Sequence, residues 1–213
     1  MRPSSPLRCL APLVALALTA GAAQAKLPYP PNCEVPRVLV LVGRDAGGTP
    51  DPLGEFRVVA RDIINAPMMN CMVVVDLSTS DDARISIDQQ PTATAICSSR
   101  WVYATGYTDA QGVASLRVVG RADHLMPAST EPRLRVYVDG VTIGIVRVAA
   151  FDHDGGGVGA PDLALWAEDY FAGTHPARSD YDGDGAVTSL DLALWAGAFF
   201  AAGSVHGGEP DCP

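Results

Sequence analysis

Basic residues are scarce in this chain. Its 213 residues include 15 lysines and arginines against 24 aspartates and glutamates, which gives a formal net charge of −9 at pH 7. Proteins that bind nucleic acid neutralise its phosphates with clusters of basic side chains, and the sequence contains no such cluster. We therefore expect no nucleic-acid partner.

A long apolar run is also missing after residue 25. A helix that crosses a bilayer needs about 20 consecutive apolar residues, so we expect no membrane span. Residues 1–25 combine two arginines, a short apolar run and the small-residue sequence Ala23-Gln24-Ala25, which is the pattern of a secretory signal peptide. This pattern predicts cleavage before Lys26 and a secreted or cell-surface protein.

The sequence offers no recognisable catalytic arrangement. The four histidines are scattered, and none stands in a clear relation to a serine or cysteine nucleophile. Any choice of two carboxylates for glycoside hydrolysis would be arbitrary, and no glycine-rich phosphate loop follows a predicted strand. We therefore predict that the protein is not an enzyme.

Cysteines are few after the predicted signal peptide, namely Cys33, Cys71, Cys97 and Cys212. No CxxC pair exists, which argues against a zinc site. An even number in an exported protein indicates two disulfides, with three possible pairings. Our prediction is that Cys71 pairs with Cys97 and that Cys33 pairs with Cys212.

Residues 37–150 follow a proline-rich segment (26–36) and contain a series of short valine-rich runs. Gly, Pro, Asp and Asn separate these runs at intervals of about a dozen residues, which is typical of an all-β sandwich. Asp139-Gly140 indicates a two-residue hairpin. The turn TDAQGVA (108–114) resembles the TDAxGxA turn of bacterial immunoglobulin-like domains of the invasin and intimin kind. That resemblance implies a spacer or adhesive domain.

Acidic residues are regularly spaced in residues 180–191, DYDGDGAVTSLD, here named the second acidic loop. Calcium takes six to eight oxygen ligands, and a twelve-residue loop supplies them from alternate positions. The pattern matches the EF-hand loop D-x-[DN]-x-[DN]-G-x5-E except for its last residue, which is Asp instead of Glu. The predicted ligands are the side chains of Asp180, Asp182, Asp184 and Asp191 and the carbonyl of Ala186.

Asp-Gly pairs are also common hairpin-turn residues, so a simple turn is the alternative explanation of this loop. Three aspartates in phase, followed by Gly185 and a closing Asp191, favour the cation site. Thr188 and Asp191 also resemble a helix capping box.

The sequence DLALWA occurs at 162–167 and again at 191–196, which indicates one structural unit used twice. The first copy follows residues 152–162, DHDGGGVGAPD, here named the first acidic loop. It is one residue shorter than the second loop and lacks one acid, so we expect weaker calcium binding by Asp152, Asp154 and Asp162. His153, at the second position, is expected to point outward.

Each acidic loop leads into a stretch with apolar residues at i, i+3, i+4 and i+7, which predicts a short amphipathic helix. We expect the two helices to bury their apolar faces against each other. The first stripe contains Leu163, Trp166, Ala167 and Tyr170, and the second contains Leu192, Trp195, Ala196 and Phe199.

Two D-rich loops in tandem, each followed by a Leu-rich helix, resemble a type I dockerin over residues 151–205. The resemblance implies a small calcium-dependent module in which each repeat is one calcium loop and its exiting helix. It also implies a protein partner, either a cohesin-like domain or a surface protein.

Together these patterns predict a mainly β, immunoglobulin-like N-terminal domain, a small α C-terminal dockerin-like module with two EF-hand-like loop and helix repeats, and a tail at 206–213. The predicted function is a secreted, non-enzymatic, calcium-binding protein that anchors or assembles through the C-terminal module. The alternative is an accessory carbohydrate-binding component of polysaccharide breakdown, with Trp101 and Tyr103 as candidate aromatic residues on one strand face.

Overall fold

The computed structural model describes residues 26–45, 47–80, 82–98, 102–122, 128–129, 131, 133–173, 176–201 and 212. The predicted signal peptide and Trp101 lie outside the described residues. Ten strands precede two helices: β1 Val38–Leu41, β2 Glu55–Val59, β3 Met72–Asp76, β4 Ala83–Ile85, β5 Thr94–Cys97, β6 Val102–Tyr107, β7 Val113–Arg117, β8 Gly120–Ala122, β9 Leu134–Val138, β10 Val141–Ala150, α1 Ala160–Ala172 and α2 Ser189–Phe200.

A six-stranded sheet in the order β1-β10-β9-β3-β6-β5 forms the centre of the fold. β1 runs parallel to β10, and the other neighbours pair antiparallel. Asp139 and Gly140 both have positive φ, at 46° and 81°, and join β9 directly to β10. The two-residue hairpin expected from Asp-Gly is therefore confirmed.

The main apolar core lies on one face of this sheet, beneath the two-stranded pairs β2/β7 and β4/β8. Alternate residues point into it because successive side chains of a strand face opposite ways. In β3 and β9, for example, buried positions alternate with exposed or half-buried ones. Its largest fully buried side chains include Phe56, Leu39, Leu41, Ile85, Leu116 and Leu134.

A second apolar cluster lies on the other side of β1. All four residues of β1 are buried, because Leu39 and Leu41 face the main core while Val38 and Val40 face this second cluster. A continuous apolar run is the expected sequence of a strand covered on both faces. The remaining fully buried members are Val42, Ala149, Phe151, Trp166, Tyr181, Val187, Trp195 and Ala198.

The predicted fold class, a β-sandwich followed by a separate dockerin-like α module with two loop and helix repeats, is wrong. The described part of the chain is mainly β with two short helices of 13 and 12 residues, and the helices share their apolar cluster with β1 and β10. Helix α2 also lies against the 3-10 turn Pro52–Gly54. Two helices of this length have little apolar surface of their own, so they complete the core of the sheet instead of enclosing a separate one.

The predicted disulfide pairing is also wrong. Cys97 of the edge strand β5 is bonded to Cys212, while Cys33 and Cys71 are free cysteines. The bond joins residues 115 positions apart, and the Cys212 N–H donates a hydrogen bond to the Ile85 carbonyl at 2.8 Å. Pairing is decided by which cysteines the fold brings together, and the cysteine spacing did not contain that information.

No helix within the described ranges is long and apolar enough to cross a membrane.

Candidate metal centre

The two acidic loops occupy equivalent places in the chain. The first acidic loop lies between β10 and α1, and the second lies between the 3-10 turn Ala177–Ser179 and α2. The residues three and five positions after the first aspartate of each loop are glycines with positive φ, a backbone conformation that glycine adopts at little cost. They are Gly155 and Gly157 in the first loop and Gly183 and Gly185 in the second.

The two loops also share their hydrogen bonds. In each, the fifth residue after the opening aspartate donates its N–H to that carboxylate at 3.0 Å, from Gly157 to Asp152 and from Gly185 to Asp180. The missing residue of the first loop therefore falls after Gly157, between this turn and the start of α1. The ligand-bearing half of the shorter loop keeps the geometry of the longer one.

In the second acidic loop, Asp180, Asp182 and Asp184 each place a carboxylate oxygen within 4.8 Å of the others. Asp182 and Asp184 are exposed, while Asp180 is only 1% exposed. The Asp180 Oδ2 atom accepts hydrogen bonds from the Gly185 N–H and from Arg147 Nη1, the latter at 3.3 Å. Its Oδ1 atom is buried and has no hydrogen-bond partner among the described residues.

Burial raises the pKa of Asp180 to about 6, and the charges of Asp191 and Asp182 add to this effect, while the backbone N–H groups of Gly185 and Gly183 oppose it. Arg147 supplies one positive charge to the Oδ2 atom of Asp180. Three carboxylates nevertheless share the loop and the buried Oδ1 atom accepts no hydrogen bond among the described residues, so a further positive charge would lower the cost of burying this group. The second acidic loop therefore has the electrostatics of a cation site.

Asp191, the predicted closing ligand, lies outside this group of three. It is fully buried, and its Oδ1 atom accepts hydrogen bonds from the Tyr181 and Asp182 N–H groups at 2.7 and 3.2 Å. Its Oδ2 atom accepts the Thr188 N–H at 2.7 Å, which confirms the predicted capping box of α2. The carboxylate thus fastens both ends of the loop. Ligation by Asp191 and by the carbonyl of Ala186 stays a prediction.

The first acidic loop gathers Asp152, Asp154 and Asp162, again within 4.8 Å of one another. Its two buried carboxylates are fully engaged by backbone N–H groups. Asp152 accepts from Gly155 and Gly157 at 2.7 and 3.0 Å. Asp162 accepts from His153 and Gly159 at 2.6 and 2.8 Å. Burial raises the pKa of Asp162 to about 6, although both hydrogen bonds lower it.

The two loops therefore differ in one respect that bears on cation binding. Among the described residues, the first loop has three acids and no buried carboxylate oxygen without a hydrogen bond, whereas the second has the buried Oδ1 of Asp180. An unpaired buried oxygen gains more from a cation than one that already accepts a backbone hydrogen bond.

His153 does not point outward, so that expectation was wrong. The side chain is fully buried, and its Nε2 atom lies 3.3 Å from the hydroxyl of Tyr181. These two residues hold the second position of their respective loops. Burial and the nearby Arg178 lower the pKa of His153 to about 4, so the ring is neutral at physiological pH. A large ring-bearing residue at position two of both loops was the sequence signal for this contact.

A buried polar network that the sequence did not indicate connects α1 to the start of the second loop. Asp169 of α1 accepts hydrogen bonds from Arg178 Nε at 2.8 Å, from Arg178 Nη2 at 2.6 Å and from the Ser179 hydroxyl at 2.6 Å. Ser179 directly precedes Asp180. Paired buried charges of this kind are costly to break because the remaining charge is left unpaired.

Comparisons with known proteins yield no match for this chain, whether against family models, curated proteins or solved structures. The geometry of the two acidic loops is therefore the basis for assigning a function.

Proposed function

We propose that this is a secreted, non-enzymatic protein that binds calcium in the second acidic loop and uses the ion to hold its C-terminal helices on the β-sheet. The observation that supports this most directly is the buried, unpartnered Oδ1 atom of Asp180, next to Asp182 and Asp184. An oxygen that is buried and accepts no hydrogen bond among the described residues gains from the approach of a cation.

Calcium is the cation that suits these donors. All of the proposed ligands are carboxylate or carbonyl oxygens, which hard cations prefer. Calcium tolerates six to eight oxygens in flexible arrangements, whereas magnesium demands a near-octahedral site. Extracellular calcium modules bind at about 10⁻⁴–10⁻³ M. The Cys97–Cys212 disulfide supports an oxidising, extracytoplasmic compartment.

The predicted protein partner has support in the surface of the two helices. Each helix ends in a pair of aromatic residues whose second member is strongly exposed, at 84% for Phe171 and 77% for Phe200. Large exposed apolar patches can mark interaction surfaces, and these two aromatic residues recur at equivalent positions of the two helices. We propose that a cohesin-like or other surface protein contacts these ends, while the sheet acts as spacer or adhesive part.

Calorimetric titration of the chain from residue 26 onward with calcium tests the proposed site. We expect one dominant binding event, and Asp184→Ala abolishes it because the loop loses a charged ligand. Glu55→Gln, which removes one exposed negative charge from β2, serves as the matched control and leaves the event unchanged. Absence of calcium-dependent heat in the wild type, or an unaltered titration of Asp184→Ala, would contradict the proposal.

A second candidate function, polysaccharide binding by the sheet, is favoured by a groove of about 480 Å³ on its outer face. Asp76 of β3 lies opposite Tyr103 of β6 and Arg135 of β9. Tyr137 of β9 lies diagonally across from Asp76 and also lines the groove. Burial raises the pKa of Tyr103, and the charges of Asp76 and Tyr137 contribute, so these groups are close neighbours.

Tyrosine rings offer apolar faces to sugar C–H groups, and the Asp76 and Arg135 side chains offer partners for hydroxyls. The opposite charges of these two residues suit a neutral ligand. Retention on cellulose, xylan, chitin and mannan tests the groove. We expect Tyr137→Ala to weaken retention by about tenfold, in line with the loss of one aromatic contact. Tyr107→Ala, exposed on the same face but outside the groove, leaves it unchanged. Equal loss in both variants, or no retention at all, excludes this function.

A further inference from the structure

The two acidic loops are joined through their position-two residues. The Tyr181 hydroxyl and His153 Nε2 lie 3.3 Å apart, and both residues are buried, with 4% and 0% exposure. The Tyr181 ring also packs against Phe151, with centroids 4.8 Å apart. This contact sits inside the apolar cluster that holds the helices on β1, where side chains are closely packed and have little freedom to move separately.

The same two residues also hold the closing carboxylate of their own loops. The His153 N–H donates to Asp162 at 2.6 Å, and the Tyr181 N–H donates to Asp191 at 2.7 Å. The backbone of each residue therefore holds the closing aspartate of its own loop. Its side chain contacts the position-two residue of the other loop.

A second connection runs through α1. Asp169 accepts hydrogen bonds from Arg178 and Ser179, which directly precede Asp180. The backbone that presents Asp180 is thus fixed to the helix that follows the first acidic loop. The second loop is therefore in contact with the first loop through Tyr181 and with α1 through Arg178 and Ser179.

We propose that cation binding in the second acidic loop orders the first acidic loop and α1 through the Tyr181–His153 contact, so that the two loops respond as one unit. This inference rests on the proposed calcium function. The bistable element is the second loop, since repulsion among Asp180, Asp182 and Asp184 opposes closure without a cation and neutralisation favours it. Coupling through buried contacts needs such an element.

Hydrogen exchange measured by mass spectrometry on the chain from residue 26 onward tests the coupling, with and without calcium. In the wild type, we expect calcium to slow exchange in residues 180–200 and also in residues 152–172. Tyr181→Phe removes only the hydroxyl and keeps the ring contact with Phe151. In this variant, protection of 180–200 persists, while the gain in 152–172 falls by about fivefold, the effect of losing one hydrogen bond.

Two further variants complete the test. Tyr170→Phe removes a hydroxyl from a half-exposed tyrosine of α1 and behaves as the wild type. Asp184→Ala disables the second loop, and calcium then protects neither segment. The coupling is overturned if residues 152–172 respond fully in Tyr181→Phe, or if they respond in Asp184→Ala, since the first loop then binds calcium by itself. Failure of the calcium proposal is distinct, because residues 180–200 of the wild type would then show no gain.

Discussion

Asp180 shows how the fold changes the behaviour of one side chain. The sequence predicts it as the first calcium ligand of the second acidic loop, and the structure adds that the residue is buried, with Oδ1 unpartnered among the described residues and Oδ2 shared by Gly185 and Arg147. Burial disfavours the charged form. The residue therefore carries an energetic cost in the absence of a cation, and this cost makes it the centre of the proposed site.

Asp180→Asn tests this cost through the pH dependence of stability. Because burial raises the pKa of Asp180 to about 6, the protonated acid is favoured in the folded state. The protonated form stabilises the folded state fully at pH values below the ordinary pKa of an aspartate. This stabilisation is lost as the pH rises through 6. With calcium removed by a chelator, we expect the unfolding free energy of Asp180→Asn to increase relative to that of the wild type as pH rises from about 4 to 7. Urea denaturation measures this difference.

The same comparison with Glu55→Gln, which alters an exposed carboxylate of β2 outside the acidic loops, is the control and should not show this gain. Differences between variant and wild type are needed because His153 acts in the opposite direction. Its pKa is lowered to about 4, so it destabilises the folded state as pH falls below its ordinary value. A constant difference between Asp180→Asn and wild type would contradict the burial argument.

At the scale of elements, the two helices are fixed by what lies beneath them. Trp166 and Trp195 are 6% and 5% exposed and join Val38, Val40 and Phe151 in one cluster. Their spacing predicted an apolar helix face. It did not predict that β1 would be covered on both sides, because the periodicity of a helix says nothing about its partner.

Trp195→Ala tests whether α2 is part of the sheet's core. Removal of a buried Trp side chain costs about 3–5 kcal/mol, and we expect this loss in the unfolding free energy of the entire chain. Phe200→Ala, on the same helix but 77% exposed, changes stability by no more than about 0.5 kcal/mol. Similar small effects in both variants would mean that α2 contributes little to the core.

At the scale of the whole molecule, the helices and the sheet share one buried apolar cluster, and we expect them to unfold as one cooperative unit. The Cys97–Cys212 bond adds a covalent connection from the edge strand β5 to the end of the chain. We therefore expect the acidic loops and the sheet to unfold together, so that the proposed calcium ion would stabilise the β-sheet as well.

Scanning calorimetry tests whether the helices and the sheet unfold together. We expect a single unfolding transition, which calcium at 100 times its dissociation constant stabilises by about 2.7 kcal/mol. For a chain of this size, that corresponds to a shift of about 5–10 °C. Asp184→Ala should retain the single transition and lose the shift. Two separate transitions, with only the smaller one sensitive to calcium, would show that the C-terminal segment folds independently.

Local chemistry allowed the sequence to determine much of the candidate site. The Asp and Gly spacing of residues 180–191 set the turns, the Thr188 and Asp191 capping box and the start of α2, because each depends on neighbours within a dozen residues. The Asp139-Gly140 hairpin was predictable for the same reason. The grouping of Asp180, Asp182 and Asp184 followed from their alternation along one loop.

Only the tertiary structure decided the rest, because it joins residues that are distant in the chain. The parallel pairing of β1 with β10, the covering of Val38 and Val40 by the C-terminal helices, and the bonding of Cys97 to Cys212 leave no local pattern. The contact between His153 and Tyr181 depends on how two similar loops pack together. Packing therefore turned two separate acidic motifs into one connected region on the edge of a β-sheet.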